Sequence, residues 1–152
     1  MTRRLLAALF ATLAAALALV PLAATAGSGG HVVIAERNIF TGPSTQSGTF
    51  SIAGALSDTG EVEATFTVTP SGDSSAVLEG DHVLQGSLGT LVVRTRARVY
   101  PFPAPRVFVI GKWNVVSGTG AYAGMEGGGS VKAVGDFTTG TATIIRDGAV
   151  NG

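Results

Sequence analysis

Cysteine is absent from the 152 residues, and only two histidines occur, His31 and His82. Without cysteine there can be no disulfide, no thiol nucleophile and no lipid-modified N-terminal cysteine. The two histidines share no ligand spacing, which argues against a dedicated zinc site, and no metal or cofactor is expected. A G-x-S-x-G nucleophile elbow is missing. Gly118-Thr119-Gly120 with Gly124 lacks the Lys-Ser/Thr of a phosphate loop, and no helical segment follows it. Asp58, Asp136 and Glu126 have no spacing that would make them a glycosidase carboxylate pair. After residue 26 there is neither an amphipathic helical period nor a second long apolar run.

The one long apolar run stands at the start. Arg3 and Arg4 precede the 16 residues from Leu5 to Val20, and Pro21 and Ala24-Thr25-Ala26 follow. This is the order of a secretory signal peptide, and the run is short for a membrane span. Residues 1–26 are therefore expected to be removed on secretion. Residues 27–152 remain as one extracellular domain with no stable membrane insertion. Setting aside Arg3 and Arg4 leaves 8 Lys+Arg against 10 Asp+Glu, a net charge of −2. That balance does not favour nucleic acid as a partner.

What the mature chain has is period-two alternation, β-branched residues and glycine-rich turns. Eight strands are expected, at 31–40, 48–54, 61–69, 76–85, 90–100, 107–116, 129–137 and 141–148. Val62, Ala64, Phe66 and Val68 share one face of the third strand. Regular short strands of this kind predict an all-β fold, an antiparallel sandwich or barrel. Pro101, Pro103 and Pro105 predict a stiff loop between the fifth and sixth strands.

The fourth hairpin can be read to its register. If Gly86 pairs with Gly89, Asp81 faces Arg94, Glu79 faces Arg96 and Val77 faces Arg98. One face is then charged in complementary pairs. The other carries Leu78, Gly80, His82 and Leu84 against Ala97, Thr95, Val93 and Leu91, and a slip of one residue would turn the arginines inward. Arg94, Arg96 and Arg98 could grip an anion, but the facing carboxylates favour an ordinary solvated surface. His82 is the one ionisable group this pairing puts on the apolar face, where it could orient a ligand or move a proton.

The segment Trp113–Ser130, WNVVSGTGAYAGMEGGGS, holds six of the 22 glycines and the only tryptophan. Gly118 and Gly120 permit a sharp turn, and one short turn can bring Tyr122 and Met125 back onto apolar surface. The pattern from Trp113 to Gly129 resembles the G-T-G-x-Y-x-x-x-x-G segment of the allene oxide cyclase-like barrels, which include the plant dirigent proteins and small bacterial secreted proteins. The resemblance covers residues 110–137. It implies a single eight-stranded antiparallel β-barrel with an interior cavity, with homo-oligomers as an arrangement of plant members. It also implies two activities, cyclisation of an unsaturated epoxide and stereocontrol of phenoxy-radical coupling. Gly118, Thr119, Gly120, Tyr122, Gly124 and Gly127 match its structural signature, and no catalytic residue can be matched.

Three functional readings follow. The first is a non-enzymatic barrel holding a small apolar or aromatic ligand, with His82, Trp113 and Tyr122 as candidate contacts. The second is a dirigent- or cyclase-like enzyme or stereochemical guide, with His82 the only ionisable group placed inside. The third is a cell-surface structural or interaction module.

Overall fold

The computed structural model describes residues 29–152 except 73 and 102–104. The expected signal peptide, residues 1–26, lies outside the described residues, as does the centre of the proline loop. Eight strands follow one another: β1 (Gly30–Gly42), β2 (Thr45–Gly54), β3 (Asp58–Pro70), β4 (Ala76–Gly86), β5 (Gly89–Pro101), β6 (Arg106–Gly118), β7 (Glu126–Asp136) and β8 (Thr141–Asn151). Each pairs antiparallel with the next, and β8 pairs with β1 to close the barrel. Closure leaves no unpaired sheet edge. No α-helix occurs among the described residues.

Alternation decides the wall. Val32, Ile34, Phe50, Ile52, Val62, Leu84, Leu91, Val93, Val131 and Ile144 are buried inside. Their sequence neighbours on each strand face out, as the period of two requires. The β4–β5 register is the expected one throughout, from Ala76 opposite Val99 to Gly86 opposite Gly89. Outside, Arg94 forms two 2.7 Å contacts with Asp81, and Arg96 lies 3.0 Å from Glu79. These pairings neutralise Arg94 and Arg96, whereas Arg98 faces Val77.

Strands run past their expected ends because turn-forming residues still join the ladder. β7 starts at Glu126, where Gly127 and Gly128 pair with Val150 and Ala149. The inward glycines also make room. Trp113 pairs with Gly129, which pairs with Gly148. Two bare positions beside the indole let it lie buried against the wall, its Nε1 3.4 Å from the Asp147 carbonyl.

The hairpin order gives the barrel two different ends. One carries the connections after β1, β3, β5 and β7. The other carries those after β2, β4 and β6, together with both ends of the described chain, and it is this second end that Trp113–Ser130 closes.

Candidate functional site

The closed end is built around Asp58, at the start of β3. Its carboxylate accepts hydrogen bonds from the Tyr122 hydroxyl at 2.7 Å, the Ser87 hydroxyl at 2.8 Å and the backbone amides of Thr59, Ser87 and Leu88. Burial opposes ionisation of Asp58, but these donors outweigh it and hold the carboxyl below its usual range. Burial, with the Asp58 hydrogen bond, pushes the Tyr122 phenol well above the usual tyrosine range. The backbone of the segment is tied to the β4–β5 turn, since Thr119 N donates to Thr90 O and Ala121 N to Leu88 O. Gly120 has φ +62°, and a Cβ there would lie 2.3 Å from the Leu88 carbonyl oxygen. Tyr122 and Met125 are buried, as the aromatic spacing implies.

The barrel's centre holds a second polar cluster. On β1, the face that buries Val32 and Ile34 continues to Glu36 and Asn38. On β8, the face of Ala142 and Ile144 continues to Arg146. The strands are neighbours, and Arg146 Nη1 donates to Glu36 Oε1. From β4, His82 places Nδ1 2.9 Å from Glu36 Oε2. Asn38 Nδ2 lies 3.1 Å from the same oxygen and 3.2 Å from Gln46 Oε1. Arg146 Nη2 donates to Thr95 Oγ1 at 3.2 Å. Among the described buried atoms, Asn38 Oδ1 and Arg146 Nε have no partner. A buried charged group is tolerated only when paired, and here five strands supply the pairing.

The electrostatics follow from this order. Burial pushes the Glu36 carboxyl up, but Arg146, His82 and Asn38 overcome it and hold the pKa at about 2. Burial and the Arg146 charge push His82 down against the pull of Glu36. At neutral pH the cluster is therefore an ion pair plus a neutral imidazole. An ionised carboxylate only accepts, so Nδ1 of His82 carries its hydrogen and Nε2 is left as an acceptor.

Above the cluster is a cavity of about 520 Å³. Phe66, Leu78, Val99, Val107, Val109, Val131, Ala133 and Ile144 form its walls, and Gln46, His82, Thr95 and Arg146 are its polar contacts. It reaches the end opposite Tyr122, where Phe40, Pro43, Val68 and Phe137 form the rim. Phe40 and Phe137 stack there with ring centroids 5.3 Å apart.

No protein-family model, curated protein or solved structure matches the chain.

The candidates named from sequence therefore divide. His82 lines the cavity, whereas Trp113 and Tyr122 lie buried away from its lining. Within the closing segment, Gly118 ends β6, Thr119, Gly120 and Gly124 lie between the strands, and Gly127 stands near the start of β7. Asp58 is occupied by Tyr122 and Ser87, and Asp136 lies at the other end, 3.1 Å from Arg106. His31 pairs with the outward Asp147 at 2.9 Å. No group of three His, Cys, Asp or Glu that could hold a metal occurs among the described residues.

His82 is not the only ionisable group inside: Glu36 and Arg146 meet it there. Their signal was present in the alternation, which puts Glu36 in phase with Val32 and Ile34, and Arg146 in phase with Ala142 and Ile144. A charged residue in phase with a core face is normally read as a strand end. Only closure, which makes β8 the neighbour of β1, brings the two charges together.

Proposed function

We propose that the protein is exported and that its barrel holds one small apolar or aromatic molecule. The observation that carries this reading is the apolar-walled cavity of about 520 Å³, open at one end and floored by polar side chains. An eight-stranded barrel is just wide enough for one such ligand. A pocket with apolar walls and a few polar groups suits ligand binding and orientation. The stacked Phe40 and Phe137 at the rim suit an aromatic or planar guest. The test is titration of the purified protein with an apolar fluorophore, alongside Ala133→Phe, which fills the cavity from its wall. Saturable one-to-one binding, lost in Ala133→Phe with the melting temperature kept, is expected. Equal binding by both proteins would place the probe on the outer surface and overturn the reading.

A second reading has its own support. His82 and Arg146 line the cavity and Glu36 pairs with both, which supports a dirigent- or cyclase-like activity of the kind implied by the Gly118–Gly127 motif. Chiral product analysis after phenoxy-radical coupling or epoxide cyclisation checks it. Racemic product at every protein concentration removes it.

A further inference from the structure

The cavity floor also specifies what the guest's polar end must be. Glu36 and Arg146 are both fully buried and pair with each other, so their charges cancel. Arg146 spends Nη1 on Glu36 and Nη2 on Thr95, and its Nε is enclosed without a partner. Glu36 receives Arg146, His82 and Asn38. The carboxylate fixes the hydrogen of His82 on Nδ1, and Nε2 makes no hydrogen bond with the described residues, although His82 lines the cavity. The floor therefore offers His82 Nε2 as an acceptor of fixed direction, beside the amide of Gln46 and the hydroxyl of Thr95, in an electrically neutral surround.

Resting on the ligand-binding reading above, we infer that the barrel selects a neutral molecule with a hydroxyl group on an apolar body, the O–H donating to His82 Nε2. A carboxylate fits poorly. At Nε2 it would meet a lone pair, and it would lose its hydration where the buried Arg146 is already neutralised by Glu36. An ether or alkane fits the walls but brings no donor, so it leaves Nε2 buried without a hydrogen bond. A hydroxyl supplies that donor while the rest of the guest covers the apolar wall.

Three probes of similar size separate these cases: octanol, its isomer methyl heptyl ether, and octanoate. Calorimetric titration of the purified protein at neutral pH should give octanol about tenfold tighter than the ether, the size expected when a buried acceptor is left unpaired. Octanoate should bind weaker than both. In His82→Phe the octanol preference over the ether should disappear while the ether still binds. The imidazole nitrogen spectrum adds a readout independent of that variant's folding: octanol, and not the ether, should shift Nε2 while Nδ1 keeps its hydrogen. Equal affinity for octanol and ether, or tighter octanoate, overturns the hydroxyl assignment and leaves the ligand-binding reading standing. Binding of none of the three, together with failure of the fluorophore titration, removes both.

Discussion

A single residue, Arg146, sets the state of the cavity floor. Its charge keeps Glu36 ionised and helps keep His82 neutral. Arg146→Met strands Glu36 as a buried anion, and breaking such a pair costs about 3–5 kcal/mol. His82 is then the only group able to take over as countercharge. Its pKa should rise from the depressed position that burial and Arg146 together impose, as followed by imidazole chemical shifts in a pH titration. The stability gap between the variant and the parent protein should narrow at about pH 5, where His82 protonates more readily in the variant. A His82 that stays neutral in Arg146→Met at that pH would show that Arg146 does not control it.

At the scale of elements, the closing segment and the β4–β5 turn act as one unit. Asp58 satisfies both, reaching Tyr122 on one side and Ser87 and Leu88 on the other. Gly120 lies against the backbone of Leu88 and Gly89, and its left-handed conformation has no room for a side chain. Gly120→Val should therefore destabilise the barrel by about 2 kcal/mol or more, seen as a lower melting temperature in calorimetry. Because this end lies opposite the cavity mouth, ligand affinity at temperatures where the variant is folded should change little. The glycine pattern made this element legible in advance: only a packed turn places Tyr122 and Met125 between glycines. Its partner Asp58 was not legible, since nothing near residue 58 marks it as the acceptor for a tyrosine 64 positions away.

For the whole molecule, stability should depend on pH in one direction at each extreme. Glu36, Asp58 and His82 all have folded pKa values below their ordinary ones. A depressed value means the unfolded chain binds the extra proton more readily, so each contribution is present above the unfolded pKa and lost as pH falls. Loss should begin below about pH 6.5 with His82 and deepen below about pH 4.5, continuing toward the value of about 2 held by Glu36. Tyr122 has the opposite sign. Its raised pKa stabilises the fold below the ordinary tyrosine value of 10.0, and that contribution is lost as pH climbs beyond it. Urea midpoints across pH check both limbs. Tyr122→Phe should flatten the alkaline limb and leave the descent due to Glu36 and His82 in place.

Local sequence by itself determined the strands, their inward faces and the β4–β5 register. Each depends on alternation within a few residues, and a one-residue slip would bury arginine. It also determined that Trp113–Ser130 folds as a packed closure, through the spacing of its aromatic residues and glycines. Tertiary structure alone decided that Glu36 on β1, His82 on β4 and Arg146 on β8 form one cluster. Arg146 and Glu36 are 110 positions apart, and no local pattern links them. Closure of the sheet makes their strands neighbours, and the low dielectric of the interior makes their pairing obligatory. The cavity likewise exists only because eight tilted strands enclose more space than the inward side chains fill.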